Sequence, residues 1–232
     1  MYPILKREFI DSFKSIRSML IILFITVASY QSASYFNSNP SVINEMLFEG
    51  VDNSAAYAAV ISLILMVLGF LFAFAISHDL INKEIELKTI RLLITKTSSL
   101  KLMLGKFLGT LLFWIVTVSI SYSIIYFISD SWHTESFLQA IVFIFYVVSL
   151  VFLISTIVTK SKLTMFLGIV LGLILPILGL LSITIDKWYL LPFKYLLPYK
   201  YLNDTLGYLF IPLSISLVYI LIAVTVMRRR DF

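Results

Sequence analysis

His78-Asp79-Leu80-Ile81-Asn82-Lys83-Glu84-Ile85-Glu86-Leu87-Lys88-Thr89-Ile90-Arg91-Leu92-Leu93-Ile94, then Thr95-Lys96-Thr97-Ser98-Ser99, then residues 100–106, form the only long polar segment with dense mixed charge in this chain. The segment lies between two apolar runs. Leu80, Leu87, Ile90 and Ile94 recur at helical spacing, which gives one apolar face. Glu84 and Lys88 stand four residues apart in the favourable order, with charge on the opposite face. The pattern predicts a helix at a membrane surface, a polar Thr/Ser turn, and a second short amphipathic piece leading into the next apolar run. A helix tied at both ends to membrane spans is placed to pass force from a soluble partner into the membrane. A solvated loop with ordinary interfacial helix content fits the same pattern.

The composition decides the class. The chain is 60% hydrophobic and 13% charged, with a mean hydropathy of +0.99. A soluble domain is about half apolar and a quarter charged, so this is an all-α integral membrane protein. The net charge of +5 does not point to nucleic acid, because the basic residues flank apolar runs and topology explains them. There is no cysteine, which excludes disulfides and thiolate metal sites. The two histidines, His78 and His133, are far apart, so a histidine-based metal site is not expected.

One membrane domain is expected over residues 1–232. Lys6, Arg7, Lys14 and Arg17 alternate with Ile4, Leu5, Phe9, Phe13 and Ile16, which predicts an N-terminal interfacial amphipathic helix over 1–18. A signal peptide is the lesser reading, since the charged region is long and further spans follow. Six spans are predicted at 19–36, 57–77, 107–128, 137–158, 165–185 and 208–227, each near the ~20 apolar residues needed to cross a bilayer. Residues 78–106 join the second and third. The loop after the first span carries Pro40, Glu45, Glu49 and Asp52 without Lys or Arg. A basic turn with Lys160 and Lys162 follows the fourth span, and Arg228-Arg229-Arg230 closes the chain. Fifteen of the 18 basic residues then fall on one side, which places both termini and the 78–106 segment in the cytoplasm. The loop at 186–207 faces outward. Its aromatic residues and prolines suit short re-entrant or interfacial helices broken near Pro192 and Pro198, or an aromatic belt that anchors the neighbouring spans.

No Asp, Glu, Lys, Arg or His lies within the six spans. Ion-coupled transporters carry such groups at membrane depth, so a self-powered pump is not expected. Intramembrane metalloprotease and serine–histidine chemistry fail for the same lack. No phosphate-binding G-x-x-x-x-G-K-[ST] loop occurs. The chain is therefore not read as an enzyme. The third span carries Thr110, Thr117, Ser119, Ser121, Tyr122, Ser123 and Tyr126, which can line a path but more often bond to a carbonyl or a neighbouring helix. Gly105-x-x-x-Gly109 and Gly168-x-x-x-Gly172 permit close helix contact, and Pro176 is expected to kink the fifth span. His133 with Asp130 and Glu135 is the one small polar cluster on the outer side, and a solvated loop explains it better than lipid chemistry.

Together, six spans, a basic amphipathic N-terminus, the 78–106 segment, the broken aromatic loop and the basic tail resemble the type-2 permease family of ABC exporters. That family typically shows Glu-x-Gly-Thr, a leucine run, Ser-Pro-x-Ser-Arg and a Gly-Lys pair opening the third span. Glu86-Leu87-Lys88-Thr89 stands for the first piece, with Lys88 in place of Gly. Leu92-Leu93-Ile94 stands for the run. Thr95-Lys96-Thr97-Ser98-Ser99 stands for the third piece, with Lys96 in place of Pro and Ser99 in place of Arg. Gly105-Lys106 matches.

The resemblance implies a permease of the cell membrane, bacterial in source, that exports a hydrophobic or amphipathic cargo such as a peptide, antibiotic or lipid-linked molecule. It implies two ATPase subunits, which hold ATP and Mg²⁺ while this chain holds no cofactor, and a second permease subunit, identical or related. Residues 79–94 would be the coupling helix, with Asp79, Lys83, Glu84, Glu86, Lys88, Thr89 and Arg91 at the ATPase contact. Lys6, Arg7, Phe9, Phe13, Lys14 and Arg17 would mark the interfacial helix. Trp188, Pro192, Phe193, Tyr195, Pro198 and Tyr199 would form an outer gate. A membrane scaffold that docks a cytoplasmic protein without transport is the alternative.

Overall fold

Backbone N–H and C=O groups in a bilayer must find partners within the chain, and long apolar runs therefore become helices. The computed structural model describes residues 1–39, 41, 53–87, 89, 98–202 and 206–229. Pro40, Glu45, Glu49, Asp52, Lys88, Ile90, Arg91, Leu92, Leu93, Ile94, Lys96 and Arg230 lie outside the described residues. Among those described, the chain is all helix: α1 Tyr2–Lys14, α2 Ile16–Ser38, α3 Asn53–Ser77, α4 Asn82–Glu86, α5 Ser99–Ser129, α6 Thr134–Ile157, α7 Ser161–Thr184, α8 Leu191–Leu196, α9 Tyr199–Leu202 and α10 Phe210–Arg228. Short 3₁₀ turns at Trp188–Leu190 and Leu206–Leu209 flank α8 and α9. Six of these helices, α2, α3, α5, α6, α7 and α10, are long and apolar enough to cross a membrane.

α6 sits at the centre and packs against α10, α3 and α5. Phe143, Tyr146, Val147, Val151 and Phe152 on it are buried to within 1%. Edge-on aromatic pairs tie its neighbours in, with Phe70 of α3 5.7 Å from Phe143 and Phe107 of α5 5.9 Å from Phe145. α7 packs chiefly on α3 and turns Phe166, Ile169, Leu173 and Ile177 outward, as a lipid-facing or subunit-facing surface does.

The third span differs from its sequence expectation. The predicted separate amphipathic piece is the first two turns of α5, a continuous helix of 31 residues. Ser98 caps it by accepting from the Lys101 N–H, and no proline follows before Phe107. A helix of that length is ~46 Å long, more than the ~30 Å hydrocarbon layer, so one end of α5 stands clear of the bilayer. The third-span hydroxyls mostly bond within their own helix: Thr117 donates to the Phe113 carbonyl, Ser121 to Thr117 and Ser123 to Ser119. Tyr122 instead reaches across to the Ser136 carbonyl. These are the packing uses of the residues.

Candidate functional site

The projecting end of α5 is the platform on which the site is built. Gly105 and Gly109 leave its face bare, and α1 lies against it. A Cβ at Gly105 would come 3.0 Å from Ile4, and one at Gly109 would come 2.9 Å from the Leu5 carbonyl. The contacts advance in step along both chains and end with Phe13 edge-on to Phe113 at 4.8 Å. α1 therefore runs alongside the start of α5, with Leu5, Phe9 and Phe13 half-buried and Lys6, Arg7 and Lys14 exposed. The only acid on the inward face of α1, Glu8, meets Lys106. The Lys106 Nζ lies 3.2 Å from Glu8 and 3.4 Å from Glu84, so one buried ammonium bridges α1, α4 and α5.

Two carboxylates share that one cation. Burial holds the Glu8 carboxyl above its usual range, against the attraction of Lys106. A carboxyl raised in the folded state favours folding in its neutral form. That contribution is complete below the ordinary value of 4.5 and is lost as pH rises through the folded value. Glu8→Gln keeps the neutral form at every pH. Its stability relative to the unaltered protein is expected to rise from about pH 4 to pH 7 in thermal unfolding measured in detergent. A difference that stays flat across that range contradicts the assignment.

α4 is a single short helix whose inner side is clamped. The Ser155 hydroxyl of α6 accepts from the Ile81 N–H at 2.9 Å and the Asn82 N–H at 3.4 Å. The Asn82 side-chain amide donates to the Thr164 hydroxyl of α7 at 2.6 Å, and Asn82 is fully buried. Glu86 accepts from the Ser161 N–H at the start of α7, at 2.9 Å. The outward side carries Lys83, which pairs with Asp79, and the exposed Leu87. Thr89 bonds to the Glu84 carboxylate. A cavity of about 590 Å³ opens between α1 and α4, lined by Arg7, Glu8, Arg17, Asp79, Lys83 and Glu84 among others.

At the opposite end, the loop before α10 folds back into the bundle. Pro192 sits in the first turn of α8, where its missing N–H costs nothing, and extended Leu197 before Pro198 separates α8 from α9. Tyr199 is buried and donates to the Met66 carbonyl, 2.7 Å away in the interior of α3. Its ring lies so close over Gly179 of α7 that a Cβ there would overlap it. Tyr146 of α6 donates to the Leu196 carbonyl at 3.0 Å.

Residues 2–227 match the protein family described as ABC-2 family transporter protein. The chain belongs to the ABC-2 transporter family. No curated protein matches it. The ABC-2 chain is thus a permease component of an ABC transporter and a multi-pass membrane protein, and its family implies association with an ATPase subunit.

Of the residues expected at the ATPase contact of this permease, Asp79, Lys83, Glu84, Glu86 and Thr89 all gather on or beside α4, whereas Lys88 and Arg91 lie outside the described residues. Among the described residues of the predicted helix over 79–94, Asn82 to Glu86 are helical, with turns at 78–81 and at Leu87. Its predicted apolar face divides: Leu80 is buried while Leu87 is 62% exposed. Lys6, Arg7 and Lys14 are exposed on α1, Phe9 and Phe13 face α5, and Arg17 opens α2 with a contact to the Ala75 carbonyl. Among the residues expected at the outer gate, Tyr199 is buried, Phe193 is half-buried, and Trp188 and Tyr195 are exposed. His133 stacks on Tyr57 and nears the hydroxyls of Ser129 and Ser131, and burial holds its imidazole below the usual range. Asn82, Ser155 and Thr164 carried no sequence signal that set them apart. Glu8 did, as the one acid within the apolar face of α1.

Proposed function

We propose that this ABC-2 permease exports a hydrophobic or amphipathic cargo, such as a peptide, antibiotic or lipid-linked molecule, driven by ATP hydrolysis on separate subunits. Two ATPase subunits bind ATP and Mg²⁺ and dock on α4 and the chain that follows it. The permease works paired with a second permease subunit, identical or related, in a bacterial cell membrane, with both termini and α4 in the cytoplasm. The chain itself hydrolyses nothing. α1 helps to clasp the ATPase, and the α8–α9 loop with Tyr199 forms the outer gate.

The observation that carries this reading is the two-sided character of α4. Lys83 and Leu87 are exposed, where a partner can meet them, while Ile81 and Asn82 on the other side are fixed in the bundle. A push on the free side has to move the spans. The absence of ionisable residues from the six spans supports an energy source outside the membrane.

The test is charge reversal on the docking side. Lys83→Glu with Lys88→Glu, reconstituted with its ATPase, is expected to insert normally and to separate ATP hydrolysis from movement of a fluorescent amphipathic peptide into inside-out vesicles. Coupling is expected to fall by about tenfold or more, since close unlike charges made alike across an interface cost several kcal/mol. Peptide movement per ATP that matches the unaltered protein contradicts the reading.

A further inference from the structure

Most of the hydrogen bonds that fix α4 do not lead back to the spans on either side of it in sequence. They lead to α6 and α7. Asn82 is the hub: its backbone N–H and its side-chain amide reach Ser155 and Thr164, residues 73 and 82 positions further on. The Thr164 hydroxyl donates a hydrogen bond to the Lys160 carbonyl, so its oxygen is left to accept from Asn82. Glu86 adds a second attachment at Ser161. Both α7 attachments fall in that helix's first turn, where the Ser161 N–H lacks a helical partner and donates to Glu86.

α7 then runs the full depth of the bundle. Gly168 and Gly172 seat it against Phe74 and Leu71 of α3, the second contact backbone on backbone, with a Cβ at Gly172 falling 2.9 Å from the Leu71 Cα. α3 and α7 therefore cannot slide past each other without separating. Beyond Pro176, Gly179 carries the ring of Tyr199, and Tyr199 is in turn hydrogen-bonded to Met66 of α3. The packing on both sides of Pro176 fixes whatever bend it introduces. One helix thus links the clamp on α4 at one end of the bundle to the folded-back loop at the other.

We propose that Asn82 is a positioning residue that joins α4 to α7, so that displacement of α4 is delivered to the Tyr199 cap at the far end of the bundle. Asn82 touches neither cargo nor ATPase in this arrangement; it acts through Thr164 and α7. The purpose of the link rests on α4 being the ATPase-docking helix, but its geometry does not.

The chain contains no cysteine, so one reporter can be introduced cleanly. Ser182 is suitable: it is buried near the outer end of α7, and its hydroxyl donates to the Gly179 carbonyl at 2.7 Å. The full-length permease carrying Ser182→Cys is placed in lipid nanodiscs and treated with a water-soluble maleimide, while hydrogen exchange is followed over residues 81–86. Asn82→Ala is compared with Thr164→Val, which removes the accepting oxygen but keeps the shape. Ser121→Ala, a buried hydroxyl of α5 outside the path, is the control. Both path variants are expected to speed exchange in α4 and to raise the labelling rate at position 182 about fivefold, the shift that one lost buried hydrogen bond makes in a two-state equilibrium. Faster exchange with unchanged labelling overturns the proposal, because the clamp then ends at Thr164. Labelling raised equally by Ser121→Ala overturns it as general loosening. Exchange unchanged in both path variants overturns it as well. No ATPase enters the experiment, so this link and the docking role of α4 can fail independently.

Discussion

Lys106→Met is expected to destabilise the folded permease by about 2–3 kcal/mol, read as a fall in the midpoint of thermal unfolding in detergent. The side chain is 11% exposed and, among the described residues, is the cation that pairs with both Glu8 and Glu84. Removing it leaves the Glu8 and Glu84 carboxylates without the ammonium they share, on a cavity wall where Arg7 is a neighbouring cation. Breaking a fully buried pair costs ~3–5 kcal/mol, and the residual exposure of the two acids, 22% and 25%, places this site below that. The double variant Lys106→Met with Glu8→Gln removes one of the stranded charges and is expected to recover part of the loss. If the single variant unfolds at the same temperature as the unaltered protein, or if the double variant is less stable than the single, Lys106 does not hold α1 and α4 to the third span.

Gly172→Val carries the second large effect. At Gly172 the obstacle is the Leu71 Cα at 2.9 Å and the Leu71 N at 3.2 Å, which no rotamer change can move. α3 and α7 must part. Overpacking of this kind costs ~1–3 kcal/mol where side chains can adjust, so about 3 kcal/mol is expected where the backbone cannot. Gly207→Ala supplies the contrast, since a Cβ there meets nothing within 4 Å. Equal midpoints for the two variants contradict the close α3–α7 contact on which the link from α4 to the outer loop depends.

These sites show unequally in the sequence. The six spans were legible because about 20 consecutive apolar residues have few other uses, and the helices overrun the predicted spans mainly where polar ends continue the same helix. The two small-residue motifs announced close contacts without naming the partners, which proved to be α1 for Gly105 and Gly109 and α3 for Gly168 and Gly172. Lys106 was visible as half of a Gly-Lys pair, but its acid Glu8 lies 98 residues away, and no local period encodes a pairing of that separation. Asn82 was the least legible. In sequence it is one polar residue among many in a charged segment, and its burial is created by Ser155 and Thr164 from a distant hairpin. The expected apolar face runs from Leu80 to Ile94, and its Ile90 and Ile94 lie outside the described residues. The turn at 78–81 rotates Leu80 and Ile81 inward together and leaves Leu87 outside.

Tyr199 gives the reverse case. The sequence marked it as one of several aromatic residues at the outer side, and the fold singles it out by depth. Leu197 and Pro198 break the loop so that α9 turns inward, and Gly179 of α7 lets its ring lie against the backbone. Trp188 is 81% exposed, and an exposed aromatic ring suits a membrane interface.

The most direct measurement of the coupling role assigned to α4 is purification of the tagged, full-length permease in mild detergent from cells that express its own neighbours, with the eluate assayed for ATP hydrolysis. The account predicts a co-purifying soluble chain with a phosphate-binding loop, ATP turnover in the eluate, and loss of both when residues 84–91 are scrambled in a protein that still inserts. A permease recovered intact with no ATPase, or an ATPase retained undiminished by the scrambled variant, contradicts it, and the first of these outcomes would instead favour a membrane scaffold.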